Sequence, residues 1–191
     1  MTIVPAAAAY PGIDFPFHNI LFPYEIQWQT FTSGVTSNAQ VFDNKDFWIN
    51  KFSELYLQHL PFEELDRIVG NKTSAFQRII ARPTLDEYWE AMTPSTEEYR
   101  RMEIPILTIT GHYDGDQVGA LTYYRRHMQF ASEKAKEAHF LVIGPWDHPG
   151  TRTPKREVGG LTFGEVSMLD LNRLHKEWYD WTLKGDPGQS F

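Results

Sequence analysis

The sequence predicts an α/β fold in which part of a parallel sheet, with flanking helices, is interrupted by an inserted helical segment. Three observations predict it. Continuous apolar runs too short for buried helices occur at residues 3–9 (IVPAAAA), 105–110 (PILTIT) and 139–143 (HFLVI), each closed within a few residues by Gly or Pro. Such runs mark strands buried on both faces. The last two alternate with stretches of helical period, the order that parallel strands require. Between the first run and the second, residues 43–101 show helical period alone.

Taken in order, the run from Ile3 to Ala9 stops at Tyr10-Pro11-Gly12. A strand buried on both faces at the first residues calls for a neighbour strand from elsewhere. Residues 10–40 are aromatic and turn-rich without a sustained period, so an irregular path with one short helix is expected. The rings of Tyr10, Phe15, Phe17, Phe22, Tyr24 and Trp28 either line a pocket there or fill a core. From Asp43 to Arg101 the apolar residues fall in short helical groups separated by Pro61, Gly70 and Pro83, and Thr84-Leu85-Asp86-Glu87 reads as a capping box. A helix is expected over about 116–130 and a final one over 167–183, the latter with Leu171, Leu174, Trp178 and Trp181 on one stripe. The tail 185–191 reads as a linker. The resulting division is 1–40 for the strand and irregular segment, 41–101 for a helical cap, and 102–191 for the α/β part.

A formal charge of -7 and a pI near 5.5, with no basic patch, exclude nucleic acid and anionic membrane as partners. The absence of cysteine removes disulfides, thiolate nucleophiles and Cys-ligated zinc, which leaves oxygen and nitrogen side chains for any chemistry. The start of the chain lacks the basic flank and length of a signal peptide, and nothing later approaches a membrane span. A cytoplasmic location is therefore expected for a complete chain.

The chemistry-bearing residues follow the strands. The run 105–110 empties into Gly111-His112-Tyr113-Asp114-Gly115, and the run 139–143 into Gly144-Pro145-Trp146-Asp147-His148. An acid after one strand and a histidine after the next match, in chain order, the last two members of a Ser…Asp…His triad. A serine hydroxyl needs an imidazole to take its proton, and the imidazole needs a carboxylate to fix its tautomer and stabilise its charged form. Alone, Asp114 is one of 25 acidic residues and His148 one of seven histidines, so it is the pairing that carries the signal. Gly111 and Gly115 would let the Asp114 loop turn sharply. No serine lies in a G-x-S-x-G context; Ser33 and Ser37 sit on no strand-to-helix elbow, so the nucleophile is absent from this chain. His112, Asp114, Asp116 and His148 could be imagined as metal ligands, but no ligand spacing such as HExxH supports a metal.

GHYDGD after a strand, LVIGPWDH after the next, and a closing helix with EWYDWTLKG resemble the C-terminal part of the catalytic domain of the X-prolyl dipeptidyl peptidase and cocaine-esterase (CocE/NonD) family. The resemblance implies a partial α/β-hydrolase with an inserted helical cap. In that family a Y-D-G loop supplies the triad acid and a G-P-W-x-H loop the triad histidine, which would make Asp114 the acid and His148 the base. Residues 46–92 are similar to the family's helical cap, and IVPAAAA to the strand after the nucleophile helix. The family's nucleophile half would lie before Met1 and its jelly roll after Phe191.

The implied reaction is acyl transfer to serine and then to water, on a small ester, amide or X-prolyl peptide, with no cofactor. On this reading Trp146 is a pocket wall or a packing brace, while His112 and Asp116 flank the pocket. The chain would be inactive until an N-terminal half or another chain completes the sheet. The other reading left open is a non-catalytic remnant or interaction module that needs a partner segment.

Overall fold

The structure is a computed structural model that describes residues 1–14, 23–32 and 39–185. It divides into two compact units, Met1–Phe15 with Glu87–Phe191, and Pro16–Asp86.

The first unit is built on two strands, β1 (Ile106–Gly111) and β2 (His139–Gly144), paired in parallel from Ile106 opposite His139 to Gly111 opposite Gly144. On the other side of β1 the chain start bridges in parallel, Ile3 to Ile106 and Ala6 to Ile109. Ile3 N–H donates to Pro105 O (3.2 Å), Leu107 N–H to Ile3 O (3.1 Å), Ile109 N–H to Pro5 O (2.9 Å) and Ala7 N–H to Ile109 O (3.0 Å). β1 is thus the central strand, and all six of its residues are buried. That is why its sequence is a continuous apolar and β-branched run rather than an alternation.

The two faces of β1 carry different cores. Leu107 and Ile109 point to one side, where helix α10 (Leu171–Lys184) lays Leu171 and Trp178 against them. Leu174 and Trp181 pack on the edge of that cluster, so the expected stripe is the packing face. Trp178 is fully buried and donates its indole N–H to Thr2 Oγ1 at 2.9 Å, tying the first residues to the last helix. α10 begins at Leu171 because Asp170 caps it, accepting from Arg173 N–H at 3.0 Å; residues 165–167 form a separate 3-10 turn.

On the other face, β1 is joined to β2 through α8 (Gln117–Phe130) and α9 (Glu133–Glu137). Helices α6 (Glu87–Glu90) and α7 (Thr96–Arg101) also belong to this unit. Sequence pattern alone put residues 87–101 with the cap. Trp89 and Tyr99 are buried instead within the sheet-bearing unit, and the Arg126 guanidinium of α8 lies 5.4 Å from the centre of the Tyr99 ring. The capping box also moves. Thr84 lies too far ahead of Glu87 to cap α6, whereas Ser95 and Glu98 form a reciprocal box at the start of α7. A small hairpin, β3 (Glu157–Val158) with β4 (Leu161–Thr162), turns on Gly159 and Gly160, both at positive φ.

The second unit is helical: α1 (Tyr24–Thr32), α2 (Ala39–Phe42), α3 (Lys45–Leu57), α4 (Leu65–Val69) and α5 (Ser74–Ile80). Ile26, Trp48, Leu65 and Phe76 form its buried core. Asn44 and Thr73 cap α3 and α5. Tyr24 and Trp28 are two-fifths exposed, and Tyr10 stacks on Tyr123 in the first unit, 4.6 Å between centroids. Phe15, Phe17, Phe22, Ser33 and Ser37 lie outside the described residues. Among the described residues no helix is long and apolar enough to cross a membrane.

Candidate active site

β1 and β2 are in register and end together, so the loops that follow them leave the sheet side by side. Backbone bonds lock them to each other. His112 N–H donates to Gly144 O at 2.7 Å and Tyr113 N–H to Trp146 O at 2.9 Å. Trp146 is 2% exposed, donates its indole N–H to Ser167 O at 2.8 Å, and joins the Leu107–Trp178 cluster. Its ring covers Gly144, where a Cβ would stand 2.2 Å from the indole, and its carbonyl covers Gly111, where a Cβ would stand 2.1 Å from the oxygen. Glycine is required at both places by this close approach. Gly115, expected to help the turn, meets nothing within 4 Å and does not take positive φ. Trp146 is thus a brace that fixes the His148 loop.

This brace brings together the two residues that the sequence pairs. His148 Nδ1 lies 3.0 Å from Asp114 Oδ1, and the Asp114 side chain is fully buried while His148 remains about one-third exposed. Asp114 Oδ1 also accepts from Asp116 N–H at 3.1 Å; Oδ2 is buried with no hydrogen-bond partner among the described residues. Asp116 Oδ2 is a second carboxylate contact on the same imidazole nitrogen, at 3.3 Å. The two carboxylates, Asp114 foremost, push the His148 imidazole up to about 9 against the opposing effect of burial. With Nδ1 engaged, Nε2 is the nitrogen left to exchange a proton with a reactant.

His112 does not join this group. Its backbone extends the strand pairing while its exposed ring packs edge-on to Tyr113, 5.0 Å between centroids. Asp114, Asp116 and His148 each offer one ligand atom, all within 4.8 Å of one another, a spacing that would admit a cation. Hydrogen bonding of the imidazole to both carboxylates accounts for the same atoms.

The sequence model of the X-Pro dipeptidyl-peptidase (S15 family) matches residues 2–150, a span that contains both strands and both loops. This chain belongs to that family. The S15 chain therefore comes from a family of peptidases, and the parallel strands and flanking helices described above form a partial α/β-hydrolase fold. Among solved structures, an aminopeptidase from the marine sediment archaeon Thaumarchaeota archaeon shares the fold, with a TM-score of 0.50 and 23% sequence identity. The similarity covers 61% of the S15 chain and 19% of the aminopeptidase chain. No curated protein sequence matches.

Two features near the sheet went unread in the sequence. His127 and His139 meet on the α8 face of the sheet, and Asp14 reaches Gly119 at the start of α8. His139 carried a strand-start position and Gly119 an unexplained glycine in a helix's first turn, but the partner of each lies too far along the chain for a local pattern to show it.

Proposed function

We propose that this chain supplies the acid and the general base of a serine-type acyl-transfer site that hydrolyses ester, amide or X-prolyl peptide bonds through an acyl-enzyme. The observation that carries the reading is the 3.0 Å contact between a buried Asp114 carboxylate and His148 Nδ1, at the carboxyl ends of adjacent parallel strands. Asp114 holds the imidazole in the tautomer whose Nε2 accepts a proton, and stabilises the imidazolium that results. Nε2 takes the serine proton during attack and returns it to the leaving group; water then repeats the cycle on the acyl-enzyme. The serine comes from a segment outside this sequence, since no serine here lies in a nucleophile-elbow pattern. The steps so drawn call on no group beyond these side chains and water.

A second reading, that the chain acts as an interaction module completed by a partner segment, is favoured by the edge formed by Ile3–Ala7. The hydrogen bonds found for this segment run to residues 105–109 on one side. An apolar cavity of about 260 Å³ adjoins it, lined by Ile3, Pro5, Ala9, Tyr99, Ala120 and Tyr123 among others.

Fluorophosphonate labelling of the purified 191-residue chain, with mass mapping, tests the first reading. No labelled serine is expected in the chain alone. A stoichiometric label on one of its serines that disappears in His148→Ala would overturn the assignment of the nucleophile to another segment. Co-expression with a family segment bearing the serine elbow should restore a label that depends on His148. Complementation without such a label would favour the interaction module.

A further inference from the structure

We propose that Asp14 is a positioning residue: by capping α8 from a distant part of the chain, it leaves the Asp116 carboxylate free to hold His148. Asp116 is the residue just before α8, the place from which an aspartate side chain ordinarily accepts the N–H of the second or third helical residue. It makes no such bond. The third helical N–H, that of Gly119, goes instead to Asp14 Oδ1 at 3.2 Å, across 105 residues of sequence. The other oxygen, Asp14 Oδ2, accepts from Tyr10 N–H at 2.8 Å, which fixes the turn that carries it.

The approach is close enough to demand glycine at the receiving position. A Cβ on residue 119 would lie 1.6 Å from Asp14 Oδ2 and 2.5 Å from Tyr10 N. Asp14 is 8% exposed, so its carboxylate is held by these two N–H groups rather than by water. Relieved of capping, Asp116 turns Oδ2 to within 3.3 Å of His148 Nδ1. Burial raises the Asp14 carboxyl above the usual carboxylate range and the nearby Asp116 and Asp114 charges add to this, while the two N–H groups oppose it.

The inference rests on the reading of Asp114 and His148 as an acid–base pair. Its test, the titration of the His148 ring followed by NMR in the 191-residue chain, needs no nucleophile, so it can fail while the labelling result stands, and the reverse. In Asp14→Ala, Asp116 swings back to cap its own helix, and the His148 midpoint should fall by about 1 pH unit. In an Asp116→Asn background the same Asp14→Ala change should leave the midpoint where Asp116→Asn alone puts it. Asp14→Asn keeps an amide oxygen for Gly119 N–H and should move the midpoint far less than Asp116→Asn does; this variant decides the matter if Asp14→Ala does not fold. Equal effects of Asp14→Ala with and without Asp116 would overturn the proposal. So would an Asp14→Asn shift as large as that of Asp116→Asn, which would assign the role of Asp14 to its charge.

Discussion

The paired strands β1 and β2 have His139 at their amino ends and His148 in the loop beyond their carboxyl ends, and the two imidazoles meet opposite surroundings. At the carboxyl ends, His148 faces the carboxylates of Asp114 and Asp116 and is driven up to about 9. At the amino ends, His139 has the Thr108 hydroxyl at 2.8 Å on Nε2 and the His127 ring at 3.0 Å on Nδ1, with the Tyr124 ring edge-on to it. Burial, helped by His127, drives His139 down to about 4, and burial lowers His127 as well. The difference teaches that neither the strand nor the residue type sets the behaviour of these imidazoles. Carboxylate partners favour the charged form of one, whereas burial without a carboxylate keeps the other a neutral piece of core.

The largest break in this comparison is Asp114→Asn. The His148 midpoint should fall from about 9 toward the ordinary histidine value near ~6.5, with His139 unmoved. In a preparation that contains the serine segment, turnover should drop by about 1,000- to 10,000-fold, because an amide no longer holds the required tautomer. Ring NMR and steady-state kinetics read the two effects. A midpoint still near 9 would mean that Asp116 is the principal partner.

Gly144→Ala strikes the same end through packing. The added methyl meets the Trp146 indole, so the His148 loop should be displaced and the chain destabilised by about 1–3 kcal/mol. Urea titration measures the loss, and the His127 and His139 resonances should keep their positions. Shifts at both ends would show that the two strands yield as one body.

The smallest effect is the pH dependence of stability. His148 is raised in the folded chain, so its contribution is complete below about 6.5 and is lost as pH rises through about 9. His139 is lowered, so the folded chain resists its protonation, and stability falls as pH drops from about 6.5 toward 4. Denaturant midpoints should therefore decline on both sides of about pH 6.5. Asp114→Asn should flatten the alkaline side and leave the acid side intact.

The strands and the loops after them were legible because β1 is buried lengthwise, which prints a continuous apolar run, because β2 keeps an apolar run although Phe140 to Val142 are only half-buried and Ile143 is exposed, and because the loops start where the runs stop. The α10 stripe was legible for the same reason, since one face of a helix touches one sheet. The limit of the cap was not. Trp89 and Tyr99 follow the same helical period as the residues before them, and their burial in the other unit depends on partners such as Arg126. Within the site, Asp114 and His148 could be paired by chain order, but the second carboxylate on His148 follows from a hydrogen bond between Asp14 and Gly119 that no local pattern encodes.

Pro5 gives the edge of the sheet a particular character. Ile3, Pro5 and Ala7 turn their backbone groups toward β1, and alternation along a strand turns those of Val4 and Ala6 outward. A proline on an edge strand commonly places its missing N–H on the open side, which discourages further pairing. Here the missing N–H falls on the inner side, so the outer rim keeps the N–H groups of Val4 and Ala6, for which no backbone partner occurs among the described residues. On the proposed reading of a completing segment, its strand would take its register from Val4 and Ala6, the same row of backbone groups through which two copies of the chain would pair.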